Sequence, residues 1–76
     1  MNTYDKVAGM IAEMAGMEAS EITPDTKFED LGIDSLDMAE MVLNIENDLG
    51  VMVEMDASLT DVQSVVAKID ELLANK

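Results

Sequence analysis

Residues 35–49 read Ser-Leu-Asp-Met-Ala-Glu-Met-Val-Leu-Asn-Ile-Glu-Asn-Asp-Leu, and they show the clearest helical pattern in the sequence. Their apolar side chains recur at the three- and four-residue spacing of an amphipathic helix. The predicted core-facing stripe consists of Met38, Met41, Val42, Ile45 and Leu49. Asp34 precedes the stretch and can accept hydrogen bonds from the free N–H groups of the first turn. Gly50 follows it and predicts the end of the helix.

A first helix is predicted over residues 3–16, upstream of this stretch. Thr3 is its predicted N-cap and Gly16 its predicted C-terminal stop. Gly9 lies inside the segment and costs about 1 kcal/mol relative to alanine, so tertiary packing has to hold this helix. Its apolar stripe is Val7, Met10, Ile11 and Met14.

A last helix is predicted over residues 61–74. Thr60 and Gln63 have the spacing of a capping box and are predicted to open it. Its stripe is Val62, Val65, Val66, Ile69, Leu72 and Leu73.

The connections between these helices differ in length. Residues 17–33 contain the single proline and lack a helical period, so they predict a long loop, and such loops are often functional. Four apolar side chains are predicted to hold this loop against the core: Ile22, Phe28, Leu31 and Ile33. Residues 51–53 are predicted to form a buried extended link, and residues 55–59 one short helical turn.

These elements predict a small all-α fold, a four-helix bundle with three main helices. The short third helix and the long loop between helices 1 and 2 complete it. With 76 residues, the chain is expected to form one domain over residues 1–76.

The net charge of −13 indicates which classes of partner the chain can attract. Such a field repels nucleic acids and anionic lipids and attracts basic protein surfaces. No apolar stretch approaches the roughly 20 residues that span a bilayer. No signal peptide is recognisable at the N-terminus. The sequence therefore predicts a cytoplasmic monomer with basic protein partners, no nucleic acid partner and no membrane insertion.

Ser35 is the candidate for modification. From residue 28 to residue 67 the sequence has ten acidic residues and no Lys or Arg, and the whole chain has no His and no Cys. A serine in this setting lacks a local base, so it is better suited to modification by another enzyme than to attack on a substrate. Most serines near a helix start are only caps, but here Asp34 can fill that role.

The predicted second helix has a second, polar face. Leu36 and Leu43 lie opposite the core stripe, among acidic and amide side chains. Isolated exposed leucines are common in proteins. The alternative is a docking surface, on which carboxylates attract a basic partner and the leucines make the contact. The polar members of this face are Asp37, Glu40, Asn44, Glu46, Asn47 and Asp48.

Calcium binding is an alternative role for part of this face. Asn44, Glu46 and Asp48 approach the spacing of a calcium loop, but Gly50 comes one position late and Met55 stands where the bidentate glutamate belongs. No dedicated metal site is therefore expected.

The eight methionines predict an adaptable core, which could also admit a flexible apolar guest.

Residues 28–40, Phe-Glu-Asp-Leu-Gly-Ile-Asp-Ser-Leu-Asp-Met-Ala-Glu, resemble the signature of acyl carrier proteins. The resemblance extends to the length, the acidity, the long loop with its phenylalanine, and the first and last helices. It implies a four-helix bundle with a short third helix. It also implies that Ser35 is esterified with 4′-phosphopantetheine from coenzyme A, whose thiol carries acyl groups as thioesters.

The resemblance assigns further roles. Asp34 and Leu36 would position the attachment site. Asp37, Glu40, Glu46 and Asp48 would be the acidic docking residues, and Leu43 would join Leu36 as an apolar contact. A phosphopantetheinyl transferase and acyl-processing enzymes with basic docking patches would be the partners. The family's cavity for the acyl chain would here be lined by Met41, Ile45, Val53, Leu59 and Val62.

Two features depart from the family pattern. Asn47 stands where an acid is common, and residues 50–62 are about two residues shorter than in typical fatty acid carriers. Glu54 and Met55 replace the usual Ile-Pro-like link. The expected role is a carrier in fatty acid biosynthesis, not an enzyme. A polyketide, lipid-modifying or D-alanyl carrier is the first alternative, and a non-carrier acidic adaptor with Ser35 as a simple cap is the second.

The charge imbalance predicts a salt-dependent stability. Raising the ionic strength from about 0.01 M to about 0.15 M shortens the Debye length from about 30 Å to about 8 Å and weakens the self-repulsion of the acids. We expect Tm to rise across a sodium chloride series, and millimolar divalent cations to raise it as well. The measurement is thermal unfolding by circular dichroism. A flat Tm across the series would contradict the prediction.

Overall fold

The computed structural model describes residues 2–54 and 57–75. It contains the helices α1 (Thr3–Ala15), α2 (Ser35–Leu49) and α3 (Val62–Ala74), with two 3₁₀ turns between α1 and α2, Ala19–Glu21 and Phe28–Leu31. The described residues form no strand beyond one isolated bridge. The predicted all-α fold is confirmed, and the three main helices agree with the predicted ranges to within one residue.

The N-cap of α1 lies one residue earlier than the sequence suggests. The Asn2 side chain, not Thr3, is the N-cap and accepts a hydrogen bond from the Asp5 N–H at 2.8 Å. Both residues are good caps, and the helix starts at the one whose side chain reaches the free N–H. α1 ends at Gly16, as predicted.

The core forms where α1 packs against α2, α3 and the first 3₁₀ turn. Ile22 and Phe28 are buried in it, and Leu31 and Ile33 pack against its edge. Among the described methionines, Met41 is fully buried and Met38 nearly so, whereas Met52 is exposed. The largest fully buried side chains are Ile11, Met41, Ile45, Ile69, Val7, Val53, Val62 and Val65.

The long connection before α2 is more ordered than its sequence suggests. It contains the two 3₁₀ turns, and Tyr4 on α1 donates its hydroxyl proton to the Ile22 carbonyl oxygen at 2.8 Å. A turn at Pro24 is closed by the Thr26 N–H, which donates to the Thr23 carbonyl at 3.1 Å. The prediction of a loop without a helical period therefore missed two short helical turns.

Residues 24–28 of this connection pair with the start of α3. The Phe28 N–H donates to the Thr60 carbonyl at 3.1 Å, and the Val62 N–H donates to the Thr26 carbonyl at 3.0 Å. The Gln63 N–H donates to the Pro24 carbonyl at 3.0 Å. Two of the free N–H groups at the start of α3 are thereby satisfied by the loop.

The N-cap of α3 also differs from the prediction by one residue. Asp61, not Thr60, is the cap: its side chain accepts from the Ser64 N–H at 2.8 Å. The Ser64 Oγ in turn accepts a hydrogen bond from the Asp61 N–H at 3.2 Å, which completes a capping box. The predicted pair of Thr60 and Gln63 is therefore wrong, because the Gln63 backbone N–H donates to the Pro24 carbonyl and not to Thr60.

The sequence predicts a buried link and one short helical turn between α2 and α3. The described residues of this segment form no helix. Val51 and Val53 are buried as expected, but Met52 between them is exposed. Met55 and Asp56, in the predicted short third helix, lie outside the described residues. Ala57 and Ser58 form a turn, and Leu59 is buried. In the described part of the chain, no helix has the length and apolar character needed to cross a membrane.

Gly9 and Gly32 provide a matched test of the backbone. A Cβ at either position meets no atom within 4 Å, but Gly32 has φ +71°, which disfavours L-residues, whereas Gly9 lies inside α1. We expect Gly32→Ala to lower the unfolding free energy by about 1 kcal/mol. Gly9→Ala should raise it by about 0.5–1 kcal/mol.

The measurement is urea unfolding of both variants. Because both changes add one methyl group to open space, their opposite signs isolate the backbone effect. A destabilised Gly9→Ala, or a neutral Gly32→Ala, would contradict this assignment of the two conformations.

Candidate functional site

Ser35 is the first residue of α2 and is exposed. Asp34 immediately before it is the N-cap, in agreement with the prediction, and its Oδ1 accepts from the Asp37 N–H at 2.9 Å. Asp37 in turn accepts from the Asp34 N–H at 3.5 Å. The Ser35 hydroxyl makes no hydrogen bond to another described residue. The helix start is therefore capped without Ser35, and its hydroxyl is available for chemistry.

Gly32 and the second 3₁₀ turn bring the chain to this position. The Gly32 N–H donates to the Glu29 carbonyl at 3.2 Å, and the Ile33 N–H donates to the Phe28 carbonyl at 3.1 Å. Phe28 is itself buried and is hydrogen-bonded through its N–H to Thr60. The turn that presents Ser35 is thus fixed to the core at one end and to α2 at the other.

An open groove of about 570 Å³ runs beside Ser35 between α2 and the residues before α3. We call it the Ser35 groove. Phe28, Met38 and Leu59 give it an apolar lining, and Lys27 and Glu29 give it polar groups. The full set of lining residues is Lys27, Phe28, Glu29, Ser35, Met38, Ala39, Leu59 and Thr60. Its volume is within the range of small-molecule sites, about 300–1,000 Å³.

The groove differs from the cavity that the family resemblance implied. Met41, Ile45 and Val62 are fully buried and packed in the core, and none of them lines a described groove. Leu59 is the predicted cavity residue that lines the Ser35 groove. The described groove that includes Leu59 therefore lies at the surface, beside Ser35.

The predicted docking face of α2 is exposed. Leu36 is 73% exposed and Leu43 is 58% exposed, so both point away from the core, as the helical pattern predicts. Glu40 lies exposed on the same side of α2. An exposed leucine pair beside carboxylates is the arrangement that the docking hypothesis requires, although the docking role itself stays a prediction.

The other predicted docking residues lie at the two edges of this face. Asp48 is next to α1, where its Oδ2 is 3.8 Å from the Lys6 Nζ, a contact that the sequence pattern did not reveal. Exposed pairs of this kind contribute only about 0–1 kcal/mol. Glu46 lies on the opposite edge, facing residues 52–54, and Asp37 is half-buried in the capping box. The predicted residues therefore span the width of α2.

Cations are scarce around the site. Lys6 and Lys68 are paired with Asp48 and Glu71, at 3.8 Å and 3.7 Å. Lys27 lies on the Ser35 groove. Within residues 2–54 and 57–75, no group of three or more acidic, His or Cys side chains is arranged to hold a metal ion. Residues 44–49, which resemble part of a calcium loop, are helical.

Comparison with known proteins agrees with this geometry. A family described as "Phosphopantetheine attachment site" matches residues 5–70. The acyl carrier protein of Streptococcus pneumoniae serotype 4 is 35% identical over 71 residues, which cover 93% of this chain and 96% of the relative.

Two further relatives are similar over almost the whole chain. The acyl carrier protein AcpXL of Rhizobium etli is 35% identical, over 97% of this chain and 96% of its own length. Acyl carrier protein 2, chloroplastic, of Arabidopsis thaliana is 43% identical over 97% of this chain and 57% of its own length.

The match to phosphopantetheine attachment sites over residues 5–70, on an all-α fold, defines a carrier domain with a covalent prosthetic group. The chain belongs to the acyl carrier protein family. It is a carrier, not an enzyme, and its cofactor is a covalently attached 4′-phosphopantetheine. The carrier role implies interaction with a phosphopantetheinyl transferase and with acyl-processing enzymes.

The residues fit this prosthetic group. Ser35 is exposed and its hydroxyl makes no hydrogen bond to the residues that the structure describes, so esterification there breaks no hydrogen bond among them. The start of α2 carries the positive end of the helix dipole, which favours a phosphate there. The apolar lining of the Ser35 groove provides a surface for carbon chains close by.

Proposed function

We propose that the Ser35 oxygen is the attachment point of the 4′-phosphopantetheine arm, and that the chain carries acyl intermediates of fatty acid biosynthesis. The observation that carries this proposal is the exposed Ser35 hydroxyl at the first residue of α2, which makes no hydrogen bond to the described residues because Asp34 is the cap. Residues 1–76 act as one carrier domain in this proposal.

The chain's own residues present the group and do not react with its cargo. The arm supplies a thiol that holds acyl groups as thioesters, which the cysteine-free chain cannot supply itself. Asp34 holds the first turn of α2 in place, so that Ser35 projects from a fixed position. Leu36, next to Ser35 and highly exposed, offers the modifying enzyme an apolar contact beside the hydroxyl.

The Ser35 groove is the proposed resting place for the apolar part of the cargo. Its lining by Phe28, Met38 and Leu59 supports this assignment, because each buried methylene gains about 0.8 kcal/mol. A few methylenes in the groove would cover part of an acyl chain while leaving exchange with enzymes rapid.

Asp37, Glu40, Leu43, Glu46 and Asp48 are the proposed docking residues on α2. Their carboxylates attract basic patches and raise the rate of encounter, and the exposed leucines supply the contact. Tethering the acyl group to this surface converts recognition of many small cargoes into recognition of one protein, followed by a local search. A monomer is proposed as the working form.

The Asp-Ser-Leu-Asp context, residues 34–37, favours an acyl carrier over a peptidyl carrier, and within the acyl carriers fatty acid biosynthesis is the pathway that we propose. The pathway is tested by loading the chain with a panel of acyl–carrier ligases. Transfer of simple fatty acyl groups supports the proposal. Exclusive loading of D-alanyl or polyketide-type units would assign the chain to a specialised carrier instead.

Attachment at Ser35 is tested by intact mass. Incubation of the apo chain with coenzyme A and a broad-specificity phosphopantetheinyl transferase should add the mass of one 4′-phosphopantetheine. Ser35→Ala should abolish the gain, whereas Ser20→Ala, at another exposed serine, should leave it unchanged. An unmodified wild-type chain beside an active control carrier, or a modified Ser35→Ala variant, would overturn the assignment.

Docking is tested by the charge reversal Glu40→Lys. We expect kcat/KM of the transferase to fall about tenfold at low salt, mainly through the association rate, and the loss to shrink at high salt. Asp70→Lys makes the same change in net charge on the exposed surface of α3 and is the matched control. Equal losses for the two variants would show that only net charge matters and would argue against a docking role for Glu40.

A further inference from the structure

Met52 is a large apolar side chain that the fold leaves in water. It is 61% exposed, although the valines on either side of it, Val51 and Val53, are buried. This alternation of burial is that of an extended segment, in which successive side chains point to opposite sides, so burial of the two valines leaves Met52 facing outward. The core therefore gains nothing from a methionine at this position.

Met52 lies close to an exposed leucine of α2. With Leu43, which is 58% exposed, it lines an open depression of about 380 Å³, which we call the Met52 groove. Val53 contributes to its apolar lining, and the acidic side chains of Glu46 and Glu54 border it. Ala39 lines both this groove and the Ser35 groove, so the two lie next to each other on the molecule.

We propose that the Met52 groove receives an apolar side chain projecting from a basic surface of an acyl-processing enzyme. Met52 then extends the docking surface beyond α2 onto the segment that follows it. This inference rests on the proposed docking role of α2 and adds a contact outside that helix.

Charge selects this occupant. The carboxylates of Glu46 and Glu54 border the groove, and residues 28–67 contain no Lys or Arg that could balance them. A second copy of the chain would bring a further −13 charge to the interface, and an anionic lipid surface would be repelled in the same way. A basic protein surface with an apolar projection matches both the lining and the border.

The chemistry of methionine adds selectivity. Its side chain has three rotatable bonds and a polarisable thioether, so it adapts to apolar side chains of different shape. Surfaces of this kind accept several partners by repacking. A carrier that serves several enzymes in turn needs such tolerance. Met52 is thus a residue that sets the relative affinities of different partners.

The test uses the holo chain, with complete loading verified by mass, and two probes: the phosphopantetheinyl transferase and a malonyl transferase of fatty acid biosynthesis. Met52→Gln keeps the length of the side chain and removes its apolar character, whereas Met52→Leu keeps it apolar. We expect Met52→Gln to weaken binding of at least one probe about tenfold, as for an apolar anchor, and Met52→Leu to restore it. Dissociation constants are measured by titration at physiological salt.

A double-mutant cycle tests whether Met52 and Leu43 act as one site. Met52→Gln combined with Leu43→Gln should weaken binding less than the sum of the single effects, because either change spoils the same groove. Met52→Gln combined with Leu36→Gln should be additive, since Leu36 does not line the groove. Additivity in both cycles would overturn the shared groove.

Three further outcomes would overturn either the docking role of Met52 or the proposed function. Unchanged affinity of Met52→Gln for both probes would overturn the inference while leaving Ser35 as the attachment point, provided that the variant is still loaded. Failure of the wild-type chain to load would instead overturn the proposed function. Concentration-dependent dimers, seen by light scattering and abolished by Met52→Gln, would assign the groove to a second copy and reject a basic partner.

Discussion

The backbone pairing between residues 24–28 and residues 60–63 holds the functional end of the molecule together. It joins two segments that are far apart in the chain, through hydrogen bonds of 3.0–3.1 Å made only by main-chain atoms. It satisfies donors at the start of α3 that would otherwise need water or side chains. It also fixes the position of Phe28, from which the turn leading to Ser35 begins. The site therefore depends on α3 although α3 contributes no residue to it.

One short chain combines a packed core around α1 with an open surface on α2. α1 packs against both other helices and supplies the fully buried Val7 and Ile11. α2 is left with one side in the core and the other in water. The acids, the exposed leucines and both grooves that contain Ala39 lie on or beside that free side. The negative charge concentrated there remains in contact with water, because none of the buried side chains in the described part of the chain is charged.

The sequence predicted the elements whose local signals agree with one another. In α2 the cap, the apolar period and the terminal glycine all indicate the same limits, and the helix has those limits. The caps of α1 and α3 were misplaced by one residue, because each start offers two neighbouring side chains able to cap. The loop pairing uses main-chain atoms only and leaves no side-chain signature.

Met52 was missed for another reason. Three apolar residues in a row suggest a buried strand-like segment, and only the alternation of the folded backbone shows that the middle one points outward. Likewise, the proximity of Lys6 and Asp48 depends on how α1 crosses α2, which periodicity does not determine. The placement of Asp34 and Ser35 at the start of α2 was predictable, whereas the positions of the described grooves were not.

Asp34 stabilises the start of α2, whereas its neighbour Ser35 is the proposed attachment point. Asp34 makes the hydrogen bond that starts α2, while the Ser35 hydroxyl makes none to the described residues. Replacing Ser35 by alanine removes no side-chain hydrogen bond among the described residues and introduces a better helix former. A screen that ranks variants by folding or abundance would score that change as harmless. If Ser35 carries the arm as proposed, Ser35→Ala inactivates the carrier in a way that an assay of stability alone does not detect.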